Sequence, residues 1–173
     1  MADTFVKIAS VTVGSGGASS IDFTSIPSTY TDLVVKLSSR RDSGANDGIG
    51  IRFNGSSAGN YSMRYVAGDG TAASSSSTSA VSAIYGYGSN DWSTATANTF
   101  SNAEIYIPNY GSSNAKSLSL DGVIENNATA SFVALTAGLW SLTSAINQIT
   151  IIALSSGNFV QYSTATLYGI KNS

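Results

Sequence analysis

The stretch that decides the fold is Ile51–Tyr65, IRFNGSSAGNYSMRY. Ile51 and Phe53 alternate with Arg52, the run breaks at Asn54-Gly55, and Tyr61, Met63 and Tyr65 alternate with Ser62 and Arg64. Period-2 alternation puts successive side chains on opposite faces of an extended chain, so both halves read as strands with one apolar face. Asn-Gly between two such runs is the strongest short-range signal for a β-hairpin, because both residues tolerate positive φ. The expectation is a hairpin of residues 49–53 and 61–66, with Arg52 and Arg64 projecting together from the face opposite Ile51 and Phe53.

The same period recurs along the chain. Leu33, Val35 and Leu37 share a face in DLVVKLSS, as do Ile105 and Ile107 in AEIYIP and Leu118 and Leu120 in SLSLDG. In FVQYSTATLYGI, residues Val160, Tyr162, Thr164, Thr166 and Tyr168 fall on one parity. No window carries the i, i+3, i+4, i+7 spacing of an amphipathic helix. Turn clusters such as GSGGASS, RRDSGANDG, NGSSAGN, NYGSSNA and IENNA punctuate the runs at regular intervals. Roughly nine or ten strands with such spacing point to an all-β, jelly-roll-like antiparallel sandwich. No linker or repeat divides residues 1–173, which read as a single domain. The interval 68–98 is Ser-rich and reads as a long surface loop with one short strand, or as an arm that orders against a neighbouring subunit. INQITIIAL carries apolar residues on both parities and reads as a strand covered on two sides.

Composition limits the chemistry. Histidine and cysteine are both absent, which removes disulfides, thiolate metal sites, and the commonest general acid–base residue. No G-x-S-x-G or S-x-x-K element supplies an activated serine. The carboxylates Asp121, Glu125 and Glu104 read as solvated surface groups rather than a glycosidase pair. Asp42, Asn46, Asp47 and Asp69 offer oxygen ligands, but at turn positions and without the spacing of a calcium loop. The expectation is therefore a protein that is not an enzyme, with no metal and no cofactor. Only 10% of residues are charged, the net charge is −2, and Ser plus Thr make up roughly a quarter of the chain. Neither nucleic acid nor membrane attraction follows from so small a charge, and no apolar run is long enough to span a bilayer. The N-terminus lacks a secretory signal pattern, so synthesis in a cytoplasm is expected.

Two clusters remain as candidate contact surfaces. Arg40, Arg41, Arg52 and Arg64 are half of all the Lys and Arg, within 25 residues. Grouped on one surface, they would grip the carboxylates of an acidic partner. Tyr85, Tyr87 and Trp92 form an aromatic cluster suited to a sugar or a host surface.

The blocks IDFTSIPSTYTDLVVKLSSR, IRFNGSSAGNYSMRY and ATLYGIK, with a Ser-rich segment between them, resemble small β-rich virion proteins of tailed bacteriophages. The markers are Phe23, Ile26, Pro27, Tyr30 and Leu33, then Phe53, Asn54, Gly55 and Tyr61, then Leu167, Tyr168 and Gly169. The resemblance implies a jelly-roll-like fold, often trimeric, and a place in the virion. The expectation is a decoration or cement protein on the capsid exterior, a homotrimer bound to the major capsid protein through the arginines. A tail or fibre component working through the aromatic cluster is the alternative, and a carbohydrate-binding β-sandwich module is another.

Overall fold

The computed structural model describes residues 4–43, 48–127, 131–154 and 157–171. Its strands are β1 (Phe5–Thr12), β2 (Ser20–Phe23), β3 (Asp32–Ser38), β4 (Ile49–Phe53), β5 (Tyr61–Gly68) and β6 (Ala73–Val81). They continue as β7 (Ile84–Gly86), β8 (Asn102–Ile107), β9 (Lys116–Ile124), β10 (Phe132–Trp140), β11 (Ile149–Ala153) and β12 (Thr164–Ile170). Among the described residues there is no helix, and every strand pair is antiparallel.

The strands form an eight-stranded sheet, β1-β12-β3-β8-β9-β10-β5-β6, and a four-stranded sheet, β2-β11-β4-β7. Setting aside β5, β6, β9 and β10 leaves eight strands, whose chain order is first-eighth-third-sixth in one sheet and second-seventh-fourth-fifth in the other. That is the double Greek key of a jelly roll, so the sandwich read from the sequence is a jelly roll with additions. The additions are two antiparallel pairs, β5–β6 and β9–β10, which join through the β5–β10 register and extend the larger sheet beyond β8.

The alternation read from the sequence sets the core. Leu33, Val35 and Leu37 of β3, Ile105 and Ile107 of β8, and Leu167 of β12 point inward from the large sheet. Ile21 and Phe23, Ile49, Ile51 and Phe53, and Ile149 and Ile151 meet them from the small sheet. Fully burying a Leu, Ile or Phe side chain contributes about 1.5–3 kcal/mol each, and these residues form one connected cluster.

Residues 49–53 and 61–66 do not form a hairpin. β4 pairs with β11 and β7 in the small sheet, whereas β5 pairs with β10 and β6 in the large one. Asn54 and Gly55 do make the tight turn their sequence signals, with φ of 52° and 70° and the Ser56 N–H donating to the Phe53 carbonyl. The chain then crosses through residues 56–60 to the opposite sheet. Phe53 and Tyr61 thus face each other through the core, with ring centroids 6.3 Å apart, and Trp140 lies 5.5 Å from Phe53. The Tyr61 hydroxyl accepts from the Phe53 N–H at 2.9 Å and donates to the Ser56 carbonyl. Asn54 secures the crossing: its Oδ1 accepts from the Asn147 and Gln148 N–H groups, and its Nδ2 donates to the Ala145 carbonyl.

Three further expectations are adjusted. The interval 68–98 contains two strands, β6 of nine residues and the short β7, rather than a loop with one short strand; β6 is held by its backbone ladder to β5, since its Ser side chains bury almost nothing. β12 begins only at Thr164, because residues 160–163 form a turn in which Tyr162 has φ of 73° and lies exposed. In β11, the off-core residue Ile152 fills the space over the bare backbone of Gly50 in its own sheet, and Leu154, just past the strand, lies over Gly48 and Gly50.

Candidate functional site

The structure does not bring the four arginines together on one surface. Arg41 is fully buried, and its guanidinium donates to the carbonyls of Ser43 and Leu154. Arg40 follows the end of β3, with a side chain only 12% exposed. It donates to the carbonyls of Ser93, Ala95, Thr96 and Thr99 at 2.8–3.2 Å, and it lies 3.6 Å from Asp91. Asp91 is itself buried and accepts from the Trp92 N–H, Asn126 Nδ2 and Thr99 Oγ1. Arg40 and Asp91 therefore pin the segment 91–101 onto the end of the sandwich, a structural task. Arg52 is half-buried on the outer side of the small sheet and donates to the Ser82 carbonyl at 3.1 Å. Arg64 stands exposed on the outer side of the large sheet. The patch expected from sequence depended on the hairpin and dissolves with it.

The aromatic cluster is also absorbed into the fold. Tyr85 and Tyr87 pack partly buried against the core, and Tyr87 lies 4.0 Å, centroid to centroid, from Tyr65. Trp92 meets Phe132 edge-on at 5.6 Å. These rings do not form an open stacking platform. Asp69 caps the β5–β6 turn by accepting from the Thr71 and Ala72 N–H groups, and Asp42 accepts from both the backbone and side-chain N–H of Asn158. Those bonds hold both carboxyls below the usual 3.8. Asn46 and Asp47 lie outside the described residues. Among the described residues, no three His, Cys, Asp or Glu side chains gather as metal ligands.

What the structure exposes instead is an apolar face on the added strands. Along β10, Phe132, Ala134, Thr136, Gly138 and Trp140 point inward, and Val133, Leu135, Ala137 and Leu139 point out. Val133 and Leu135 are 59% and 54% exposed. Val133 sits beside Val123 of β9, and Leu135 sits between Asp121 of β9 and Val66 of β5. Val66 is 57% exposed and Val123 40%. Gly68 and Ala73 leave a hollow of about 640 Å³ beside Val66, Val133 and Leu135. Arg64 flanks the stripe on the β5 side and Asp121 on the β9 side, and neither makes an ion pair among the described residues.

No protein-family model, curated protein or solved structure matches this chain.

The stripe's chemistry therefore speaks for itself. Scattered exposed leucines and valines are ordinary, but here Val66, Val123, Val133 and Leu135 lie contiguous on neighbouring strands, an arrangement in which a contact surface is worth considering. The arrangement suits burial against another protein, with the flanking charges setting orientation. Sequence reading missed this surface, although its signal was present: SFVALTAGLW is apolar on both parities, as INQITIIAL is. In β11 the outer parity covers glycine backbone, and in β10 it is left bare.

Proposed function

We propose that this chain is a non-enzymatic structural protein of a tailed-phage virion, which decorates the outside of the capsid shell and stabilises the head. The observation that carries the reading is the apolar face of β9, β10 and β5, a protein-contact surface built on strands that the jelly roll itself does not need. The virion assignment comes from the resemblance of the three sequence blocks. The residues that carry it sit at joints of the fold: Tyr30 packs over Gly169, where the ring would collide with any Cβ, and Asn54 stitches the crossing between sheets. A jelly roll with rigid added strands needs neither catalytic groups nor disulfides to cement a shell; it needs a stiff body and faces that join it to other protein, copies of itself included. The half-buried state of Tyr85, Tyr87 and Trp92 gives no support to a host-contact or sugar-binding role.

The test is to mix purified protein with emptied heads lacking it and, separately, with tails. Regular occupancy of heads with a raised head melting temperature supports decoration. Binding to tails or host glycan with bare heads refutes it.

A further inference from the structure

Resting on the reading of the apolar face as a protein-contact surface, we propose that its occupant is a second copy of this chain, stacked face to face about a two-fold axis. The carrier is charge complementarity. Arg64 on β5 pairs in register with Ala137 of β10, and Asp121 on β9 pairs with Leu135 two residues away. The two charges thus stand diagonally on opposite sides of the β10 stripe, about 10 Å apart across the strands. Within one chain the two form no ion pair among the described residues.

A two-fold axis lying between two such faces, and crossing the Arg64–Asp121 line at its midpoint over β10, seats Arg64 of each copy on Asp121 of the other. An isologous contact requires this self-complementarity, since each residue meets its counterpart's partner twice. The same operation lays Leu135, Val66 and Val133 against the equivalent apolar side chains, with the hollow beside Gly68 and Ala73 available to receive a protruding residue. Other charges do not oppose the match. The neighbouring Glu104 on β8 is already paired with Lys36 of β3, and the remaining outward residues of β9 and β5 in this area, Ser117, Ser119 and Ser62, are neutral.

Three strands of about seven residues present a face of roughly 15 by 24 Å, about 360 Å² per partner in projection, which is below the ~600 Å² of a standard specific interface and suits a weak, reversible dimer. Sheets pack face to face in this way within single domains, so the contact needs no new kind of packing.

The experiment is sedimentation velocity of the full chain across a concentration series, with four variants. Wild type is expected to dimerise below about 100 μM, the range of a weak, reversible contact. Leu135→Asp is expected to be monomeric with unchanged circular dichroism, since its side chain is exposed and its loss leaves the core intact. Arg64→Asp and Asp121→Arg are each expected to weaken the dimer by about tenfold or more through like-charge contacts. The double variant R64D/D121R restores the pairs and is expected to return to within about threefold of wild type. A wild-type monomer at 100 μM, a trimeric mass, or a double variant as weak as its single parents overturns the two-fold contact. Head binding separates this inference from the decoration reading. A dimer that ignores heads keeps the contact and removes decoration, whereas a monomer that decorates heads does the reverse.

Discussion

Replacing Asp91 by alanine tests whether a buried ion pair, rather than chain chemistry, holds segment 91–101 in place. The carboxylate is buried and accepts from the Trp92 N–H at 2.9 Å, Asn126 Nδ2 at 3.2 Å and Thr99 Oγ1 at 2.5 Å, with Arg40 at 3.6 Å. Removing one partner of a buried pair costs about 3–5 kcal/mol, because the remaining charge is left uncompensated. Arg40 keeps its carbonyl acceptors on Ser93, Ala95, Thr96 and Thr99, which places the expected loss at the low end, about 3 kcal/mol. That is a large share of the about 5–15 kcal/mol typical of a folded domain. In urea, with a slope of about 2 kcal/mol/M, the midpoint should fall by about 1.5 M at unchanged slope. Asp91→Asn retains an acceptor for the Trp92 N–H while losing the charge, and should fall between wild type and Asp91→Ala. A loss below about 1 kcal/mol for alanine would mean that the pair contributes no more than a surface ion pair, and would refute the account of this segment.

Three further outcomes follow from single contacts. Lys116 is buried, its ammonium donating to the carbonyls of Ser112, Asn114 and Ser144; Lys116→Met should cost about 2 kcal/mol in urea unfolding by orphaning them. Burial also pushes that ammonium below the usual 10.5, so the unfolded chain binds the extra proton and wild type should gain stability as pH rises toward 10.5. The methionine variant should lack that gain on the approach to pH 10.5. Asp42, held below 3.8 chiefly by the Asn158 backbone N–H, contributes stability that is complete above that value and lost as pH falls through its lowered one; Asp42→Asn should show a shallower acid decline of melting temperature. Gly122→Ala drives a methyl into the Tyr87 carbonyl and to 2.8 Å from Gly88 backbone, so about 2–3 kcal/mol should be lost, and a neutral result would show that this joint between the added strands and β7 is loose.

The sequence carried the faces of the strands but not their neighbours. Alternation put Ile51 and Phe53 on one side and Tyr61, Met63 and Tyr65 on one side, and all five point to the core or pack against it. A period of 2 is the same whether two strands lie side by side or across a sandwich from each other. Asn54-Gly55 supplied the turn it encodes, and the five residues after it decided the destination. The arginine patch failed for that reason, since its assembly required Arg52 and Arg64 on one sheet. Burial of Arg41 and Arg40 was hidden as well, because most of their acceptors are backbone carbonyls, which leave no trace in side-chain identity. β6 was hidden by composition: a Ser run has neither apolar period nor strand preference, and only the ladder to β5 makes it a strand. The contact face on β10 was legible in principle, but deciding which two-sided strand is bare required knowing that β11 lies over Gly50 and β10 over nothing.

The position of β12 bears on how the chain is made. Among the described residues β1 pairs only with β12, and about 150 residues separate the two in sequence. At synthesis rates of about 5–20 residues per second, β1 waits on the order of ten to thirty seconds with both its edges open. A bare strand of that length invites pairing with the wrong chain. Once paired, β1 still leaves one edge of the sheet open, and there Lys7 and the register shift between Lys7 and Ala9 spoil a straight foreign ladder. The irregularity that looks like a flaw in the finished sheet is thus a safeguard of its open edge.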